Sequence, residues 1–301
     1  MNLLKILILV AVCNVAQAQD YVDLATAEYT KTPQNQFDSS LNTSSVQKAN
    51  INLTAPVKLK NGSLLLFGVV CDRLQTKLFE QQEDEVSFSA YTLKLGINVK
   101  YSDKWSATYL LLPKIASNFE ESLTKNDYQI GGIILAKLKK SEHFNYKFGA
   151  YINGDRFGPF LVPFFGGYYQ KNKLEIDAII PSYAKINYSI TPKVTAGVNW
   201  RATVKSYNIQ GGGISIYTYP FYMHHLSNEI AAHIGYEPIK GVIIRGMAGV
   251  SLGRSFRVYQ NNDKIDFGLS LVRFGDDRVP LNTDFANGAF GRLELAYRFY
   301  L

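Results

Sequence analysis

Arg292-Leu293-Glu294-Leu295-Ala296-Tyr297-Arg298-Phe299-Tyr300-Leu301 changes character at every residue. Successive side chains of a strand point to opposite faces, so Leu293, Leu295, Tyr297, Phe299 and Leu301 share one face and Arg292, Glu294, Ala296, Arg298 and Tyr300 the other. An apolar stripe tipped with aromatics, backed by a mostly polar face, is the pattern of a strand with lipid on one side and a lumen on the other.

The same alternation recurs upstream. Val194, Ala196, Val198, Trp200, Ala202 and Val204 oppose Thr195, Asn199, Arg201, Thr203 and Lys205. Tyr91, Leu93, Leu95, Ile97, Val99 and Tyr101 oppose Thr92, Lys94, Asn98 and Lys100, and Phe144, Tyr146, Phe148 and Ile152 oppose Asn145, Lys147 and Tyr151. Residues 51–60 alternate in the same way, whereas 63–73 and 130–139 carry aliphatics on both faces. A soluble sandwich also alternates, but its strands are usually about five or six residues long, and many of these are longer.

Tight connections are expected at 60–62, 102–104, 140–142, 171–173, 191–193 and 238–241. Longer polar stretches at 31–45, 76–85, 117–127, 153–159, 207–228 and 260–289 fill the alternate connections, with Pro181-Ser182 the one short link on that side. Short turns on one rim and long loops on the other are the asymmetry of an outer-membrane barrel with its short rim in the periplasm. The expected fold is therefore all-β, an antiparallel transmembrane β-barrel of fourteen strands, near 21–30, 46–60, 62–75, 86–101, 104–116, 128–140, 143–152, 160–170, 173–180, 183–190, 193–206, 228–237, 241–258 and 290–301. The count falls to twelve if 173–190 is not a strand pair, and rises if 265–272 joins.

Residues 1–18 have the form of an export signal: Lys5, an apolar run from Ile6 to Val12, and a small-x-small site at Ala16-Gln17-Ala18. Residues 19–301 are then one barrel domain in the bacterial outer membrane. Cys13 leaves with the signal, so Cys71 stands alone and no internal disulfide is expected. Outside the signal no apolar run approaches the roughly 18 residues a membrane helix needs. Mean hydropathy of −0.08 fits a barrel that averages lipid-facing and lumen-facing residues. The net charge of +7 attracts polyanions in general, but an exported chain seldom meets nucleic acid, so lipopolysaccharide phosphates or small anionic solutes are the expected partners. Outer-membrane lipid and the assembly machinery that reads terminal strands are the other expected partners.

Trp and Tyr favour the membrane interface, where ring and polar tip are both satisfied. Tyr101, Trp105, Tyr188, Tyr236, Tyr297 and Phe299 fall near the short-turn rim on the lipid parity or beside a turn, and are expected to form an aromatic girdle.

Ile180-Pro181-Ser182-Tyr183, Tyr219-Pro220-Phe221, Gly235-Tyr236-Glu237 and Gly249-Val250-Ser251-Leu252-Gly253-Arg254-Ser255-Phe256 carry a resemblance. Through them the chain resembles a family of uncharacterised bacterial outer-membrane β-barrel proteins known only as a domain of unknown function. The resemblance implies fold and location and supplies neither catalytic residues nor a substrate.

His225-Leu226-Ser227-Asn228 is similar to the His-x-Ser-Asn core of outer-membrane lipid hydrolases, in which His activates a Ser nucleophile. Parity counts against it, because His225, Ser227 and Glu229 share the polar side and Glu237, the candidate orienting group, lies at the far end of the strand. His224, His225 and His233 do not recur at a spacing that closes a metal shell. Gly211-Gly212-Gly213 is not followed by a helix start and is loop, not a phosphate cradle. No cofactor, metal or catalytic activity is expected.

On the polar parity lie Lys94, Lys147, Lys185, Arg201, Arg245 and Arg292, with Lys58, Lys100, Lys205, Arg257 and Arg298, against Glu175, Asp177, Glu229, Glu237 and Glu294. A water-filled lumen with this excess favours anions; a side-chain-filled one merely pairs the charges. The expected function is a passive channel or small-solute transporter with a basic lumen, constricted by loops 207–228 and 260–289. The alternatives are a lipid-modifying enzyme at His225 and Ser227 or a structural, adhesive barrel.

Overall fold

Strands that are apolar on one face only must each hide or solvate that face, and here they close into a ring. The computed structural model describes residues 21–38, 41–211 and 220–300. The signal at 1–18, Gly212-Gly213, Tyr219 and Leu301 lie outside them. Fourteen long strands form the wall: β1 (Tyr21–Lys31), β2 (Gln47–Lys58), β3 (Leu64–Thr76), β4 (Val86–Lys100), β5 (Trp105–Ser117), β6 (Tyr128–Lys139), β7 (Phe144–Asp155), β8 (Gly158–Lys171), β9 (Leu174–Ile180), β10 (Tyr183–Thr191), β11 (Val194–Ile209), β12 (Phe221–Ile239), β13 (Val242–Gln260) and β14 (Gly288–Tyr300). Each pairs antiparallel with its neighbours in sequence, and β14 closes on β1 with Ala27 opposite Leu295 and Glu28 opposite Glu294.

The lipid parity is on the outside. Val198 and Leu295 remain 48% and 51% exposed, so no second sheet covers them. One rim has only short links, such as Asn172-Lys173 and Lys240-Gly241, where Gly241 adopts the left-handed φ of +88° that a residue without Cβ takes freely. All fourteen expected strands are present, within a few residues except at three ends.

Those exceptions lie on the long-loop rim. The stretch 153–159, expected as a loop, is a tight hairpin turning at Arg156-Phe157, because β7 and β8 stay paired up to Asp155 and Gly158. Eleven of the fourteen described residues in the expected loop 207–228 are strand, with β11 and β12 paired as far as Ile209 and Phe221. Within 260–289, Phe267–Leu269 and Val272–Phe274 form a small hairpin that is not part of the ring and lies parallel along the free upper edge of β8 at Phe160 and Leu161.

One irregularity of length decides the interior. β9 and β10 have seven and nine residues, whereas every other barrel strand has eleven or more. Toward the long-loop rim, β8 and β11 therefore have no strand between them. The upper ends of β11 to β13 tuck inward across the mouth and reach the opposite wall, where Asn208 of β11 pairs with Ser117 of β5.

That tuck buries apolar side chains inside the barrel. Tyr207, Ile209, Phe221, Met223, Phe256 and Val258 pack on Leu74, Phe88, Ala90 and Ala116 of the far wall, with Phe37 and Phe285 stacked over them at 4.4 Å. Each large side chain so buried contributes roughly 1.5–3 kcal/mol. A second cluster joins Phe157, Phe160 and Val162 of the β7–β8 side to Tyr222, Tyr259 and Ile265. His224 has the lipid parity by alternation but is fully buried 4.4 Å from the Phe157 ring, because here the outer face of β12 meets the inner face of its neighbours.

Candidate functional site

Polar parity turns many of the carboxylates, lysines and arginines of the strands inward, where water is scarce and each charge needs a partner. The lumen is laced accordingly. Near the short-turn rim, Arg298 grips Asp23 through two hydrogen bonds of 2.7 and 3.1 Å, and Arg245 pairs with Glu294. Glu175 accepts from Tyr21 and Asn187 at 2.9 and 2.7 Å. At mid-height, Glu229 lies between Lys48 at 2.7 Å and Arg292, and Arg201 holds Glu28 in a fork of 2.8 and 3.0 Å. Higher, Lys205 meets Asp72 at 2.7 Å and Lys114 meets Asp155 at 3.0 Å, while Lys147 meets Asp177 at 2.6 Å back toward the short-turn rim.

All six basic residues named from the alternation lie on this lumen side. Lys147, Arg201, Arg245 and Arg292 have carboxylate partners. Lys94 does not; it crosses the bare Cα of Gly68 to donate to Asn52 at 2.6 Å and to Thr54. Lys185 makes neither a hydrogen bond nor an ion pair among the described residues. Sequence reasoning missed Asp23, Glu28, Lys48, Asp72, Lys114 and Asp155; extending the quoted alternations finds Lys48 and Asp155, whereas a bulge between Asp23 and Ala25 puts Asp23 and Glu28, five positions apart, on the same face. The charge excess inferred from sequence is therefore largely paired.

Among the mid-height pairs lies a cavity of about 880 Å³. Lys48, Asp72, Lys185, Arg201, Lys205, Glu229 and Arg292 line its lumen side, and Phe160, Val162, Phe164, Trp200 and Val204 its other side. The apolar mouth cluster borders it toward the long-loop rim, with Leu74 and Tyr207 common to both.

Asp127, in the loop between β5 and β6, pins that cluster at the tip of β11. Its carboxylate accepts from Asn208 and Gln210 at the tip of β11, both at 2.9 Å, and from the Thr124 amide at 2.6 Å. Burial on its own would raise this carboxyl, but the hydrogen bonds from Thr124, Asn208 and Ser117 outweigh it and hold the group below its ordinary value. A lowered folded value means that the tie is complete at neutral pH and is lost as pH falls through that value. Protection of the 206–210 amides against hydrogen exchange, corrected for intrinsic rate, is expected to persist near the ordinary aspartate value of about 4 and to collapse only below it. In Asp127→Ala it is expected to be already reduced at pH 7; undiminished protection there contradicts the assignment.

The hydrolase pair is not assembled. Nδ1 of His225 lies 3.0 Å from the Ser255 carbonyl oxygen, which it reaches as a donor, and the ring stacks on Phe256 at 4.3 Å. The Ser227 hydroxyl is 2.8 Å from that of Ser251, and Glu237 accepts from Gly241 and Tyr300 at the opposite rim. His224, His225 and His233 go to separate partners, His233 bonding Asn187 at 2.9 Å. Tyr101, Trp105, Tyr188, Tyr236 and Tyr297 are exposed on the outer surface at the short-turn rim, and Phe299 is half-buried beside them.

Comparison with known proteins gives a family and a likeness of fold. A family model described as a domain of unknown function (DUF6268) matches residues 14–268. No curated protein sequence matches the chain. Among solved structures, the COG4313 outer membrane channel from Pseudomonas putida F1 is similar at 9% identity and a TM-score of 0.45, over 91% of this chain and 94% of that one. The NanC porin is similar at 8% identity and 0.38, over 91% and 98%, and the P. putida toluene transporter TodX at 7% and 0.37, over 92% and 89%. At these identities the likeness concerns fold alone.

Proposed function

Because the chain belongs to the DUF6268 family, whose description specifies no activity, we propose a function from its own lumen: a passive outer-membrane conduit for small anionic solutes. The observation that carries this reading is the chamber. A fourteen-stranded barrel lies between those whose side chains fill the interior and those with an open channel, and here about 880 Å³ remains. Lys185, a cation on its lumen wall without a carboxylate partner among the described residues, supplies attraction for an anion. The exposed apolar band and rim aromatics support placement in the outer membrane, with its lipid and lipopolysaccharide as surroundings and its barrel-assembly machinery as the insertion partner. The reading assigns no catalytic role to His225 or Ser227.

In planar bilayers under a salt gradient, the refolded protein is expected to conduct with a reversal potential on the anion side. Lys185→Glu, which replaces the unpaired positive charge with a negative one, is expected to move that potential toward cations. A refolded, inserted barrel without conductance overturns the conduit.

A further inference from the structure

The conduit reading leaves open which solute the chamber takes, and the short β9–β10 hairpin bears on this. A strand needs about 9–11 residues to cross the hydrocarbon layer at the usual tilt. β9 has seven, so its turn at Pro181-Ser182 ends within that layer. The adjoining backbone edges then have no strand beside them at membrane depth. On β8 the pairing with β9 stops at Phe165, and the outer hairpin takes over only at Leu161. On β11 the pairing with β10 stops at Arg201, with one more bond from the Ala202 amide to Ser182, and contact with the far wall resumes at Ser206. Unpaired backbone at this depth is tolerated only where it is buried in protein or lines a cavity.

Here it lines the chamber. Residues 199–205 of β11 all border the cavity, although alternate side chains point to opposite faces of the strand. One cavity can touch both faces only by passing around a free edge. It therefore runs from the lumen face, at Arg201 and Lys205, to the lipid-parity face, at Trp200 and Val204. Leu271, at the tip of the outer hairpin, borders the same cavity and is 91% exposed.

We propose that this gap in the wall is a lateral mouth to the bilayer, and that its ligand is a single-chain anionic amphiphile. The chain lies between the β8 inner face (Phe160, Val162, Phe164) and Trp200 and Val204 of β11. The head lies in the lumen against Lys185, beside Arg201. Charge and polarity divide the cavity in the order that such a molecule needs, and about 880 Å³ falls within the roughly 300–1,000 Å³ of sites that hold one small ligand. The proposal rests on the conduit reading for its physiological sense, but its binding site is tested separately.

The chain has two tryptophans, so Trp105→Phe leaves Trp200 as the only one and makes it a reporter within the site. In phospholipid vesicles, terminally brominated dodecanoate is expected to quench Trp200 fluorescence saturably, and terminally brominated dodecanol much more weakly. Adding Lys185→Ala is expected to weaken the carboxylate's binding about tenfold, the worth of a charge-assisted hydrogen bond. Heat-modifiable migration on gels shows whether that variant has folded. If it has not, Leu271→Asp at the exposed hairpin tip is expected to slow the onset of quenching. Quenching that rises linearly, equally for acid and alcohol, overturns the site, as does saturable quenching indifferent to the folded Lys185→Ala variant or to Leu271→Asp. Iodide efflux from the same vesicles reads the conduit independently: efflux without saturable quenching removes the amphiphile and keeps the conduit, and saturable quenching without efflux does the reverse.

Discussion

Glu229→Ala is expected to destabilise the folded barrel by about 3 kcal/mol, the lower end of the 3–5 kcal/mol lost when one member of a buried ion pair is removed. Glu229 is nearly buried and its carboxylate serves two cations, Lys48 at 2.7 Å and Arg292. Without it, Arg292 keeps Thr30 at 2.7 Å and a longer approach of 3.8 Å to Glu28, a carboxylate already held in the fork of Arg201. Lys48 loses its only carboxylate contact among the described residues and faces Arg292 as a like charge. Lys48 also borders the chamber, which is why the lower figure applies. Urea unfolding of the refolded protein in vesicles measures the change, and Lys48→Met added to Glu229→Ala is expected to restore part of it. A loss below about 1 kcal/mol, the worth of an exposed pair, places Glu229 in a solvated lumen rather than a packed one.

Val198→Arg is expected to cost about 2–4 kcal/mol in a bilayer, whereas Tyr297→Arg costs about 0–1 kcal/mol. Both residues point outward and are about half exposed, so burial in protein does not distinguish them. Depth does. Val198 pairs with Ile186 and Ala232 within the apolar band, and Tyr297 lies three residues from the short-turn end of β14. An arginine near mid-depth must dehydrate or distort the lipid, while one near the rim extends its head into the interface. Refolding titrations of the two variants into lipid vesicles provide the comparison. Equal costs contradict a lipid-facing wall.

The same alternation also accounts for how much of the molecule was legible from its residues. Strand faces are a local property: a side chain at position 198 or 295 points outward because its neighbours in sequence point inward, and no distant contact is needed to establish this. Because every strand pairs with the next, strand count and closure follow from the order of turns. The lumen orientation of Lys94, Lys147, Lys185, Arg201, Arg245 and Arg292 was likewise open to sequence reasoning, as was the inward parity of His225 and Ser227. The alternation misled at His224, where parity predicts lipid and the structure shows a buried ring, because the rule assumes a single-layered wall.

Pairing across the barrel had no such signal. Glu28 and Arg201 are 173 positions apart in sequence, and Lys48 and Glu229 are 181 apart, so nothing in either neighbourhood announces the partner. The tuck of β11 to β13 likewise depends on the height of β9 and β10 relative to the strands beside them, a comparison between elements rather than a property of one.

By itself, then, the chain determined that it forms a cylinder and, along most of each strand, which residues face out and which face in, because period-two patterning acts through nearest neighbours. Only the tertiary structure decided which charges neutralise one another, that apolar side chains pack across the mouth, and that β8 and β11 have no strand between them above Pro181. Those features arise where segments far apart in sequence compete for the same enclosed space, and the outcome of that competition depends on geometry that no local pattern encodes.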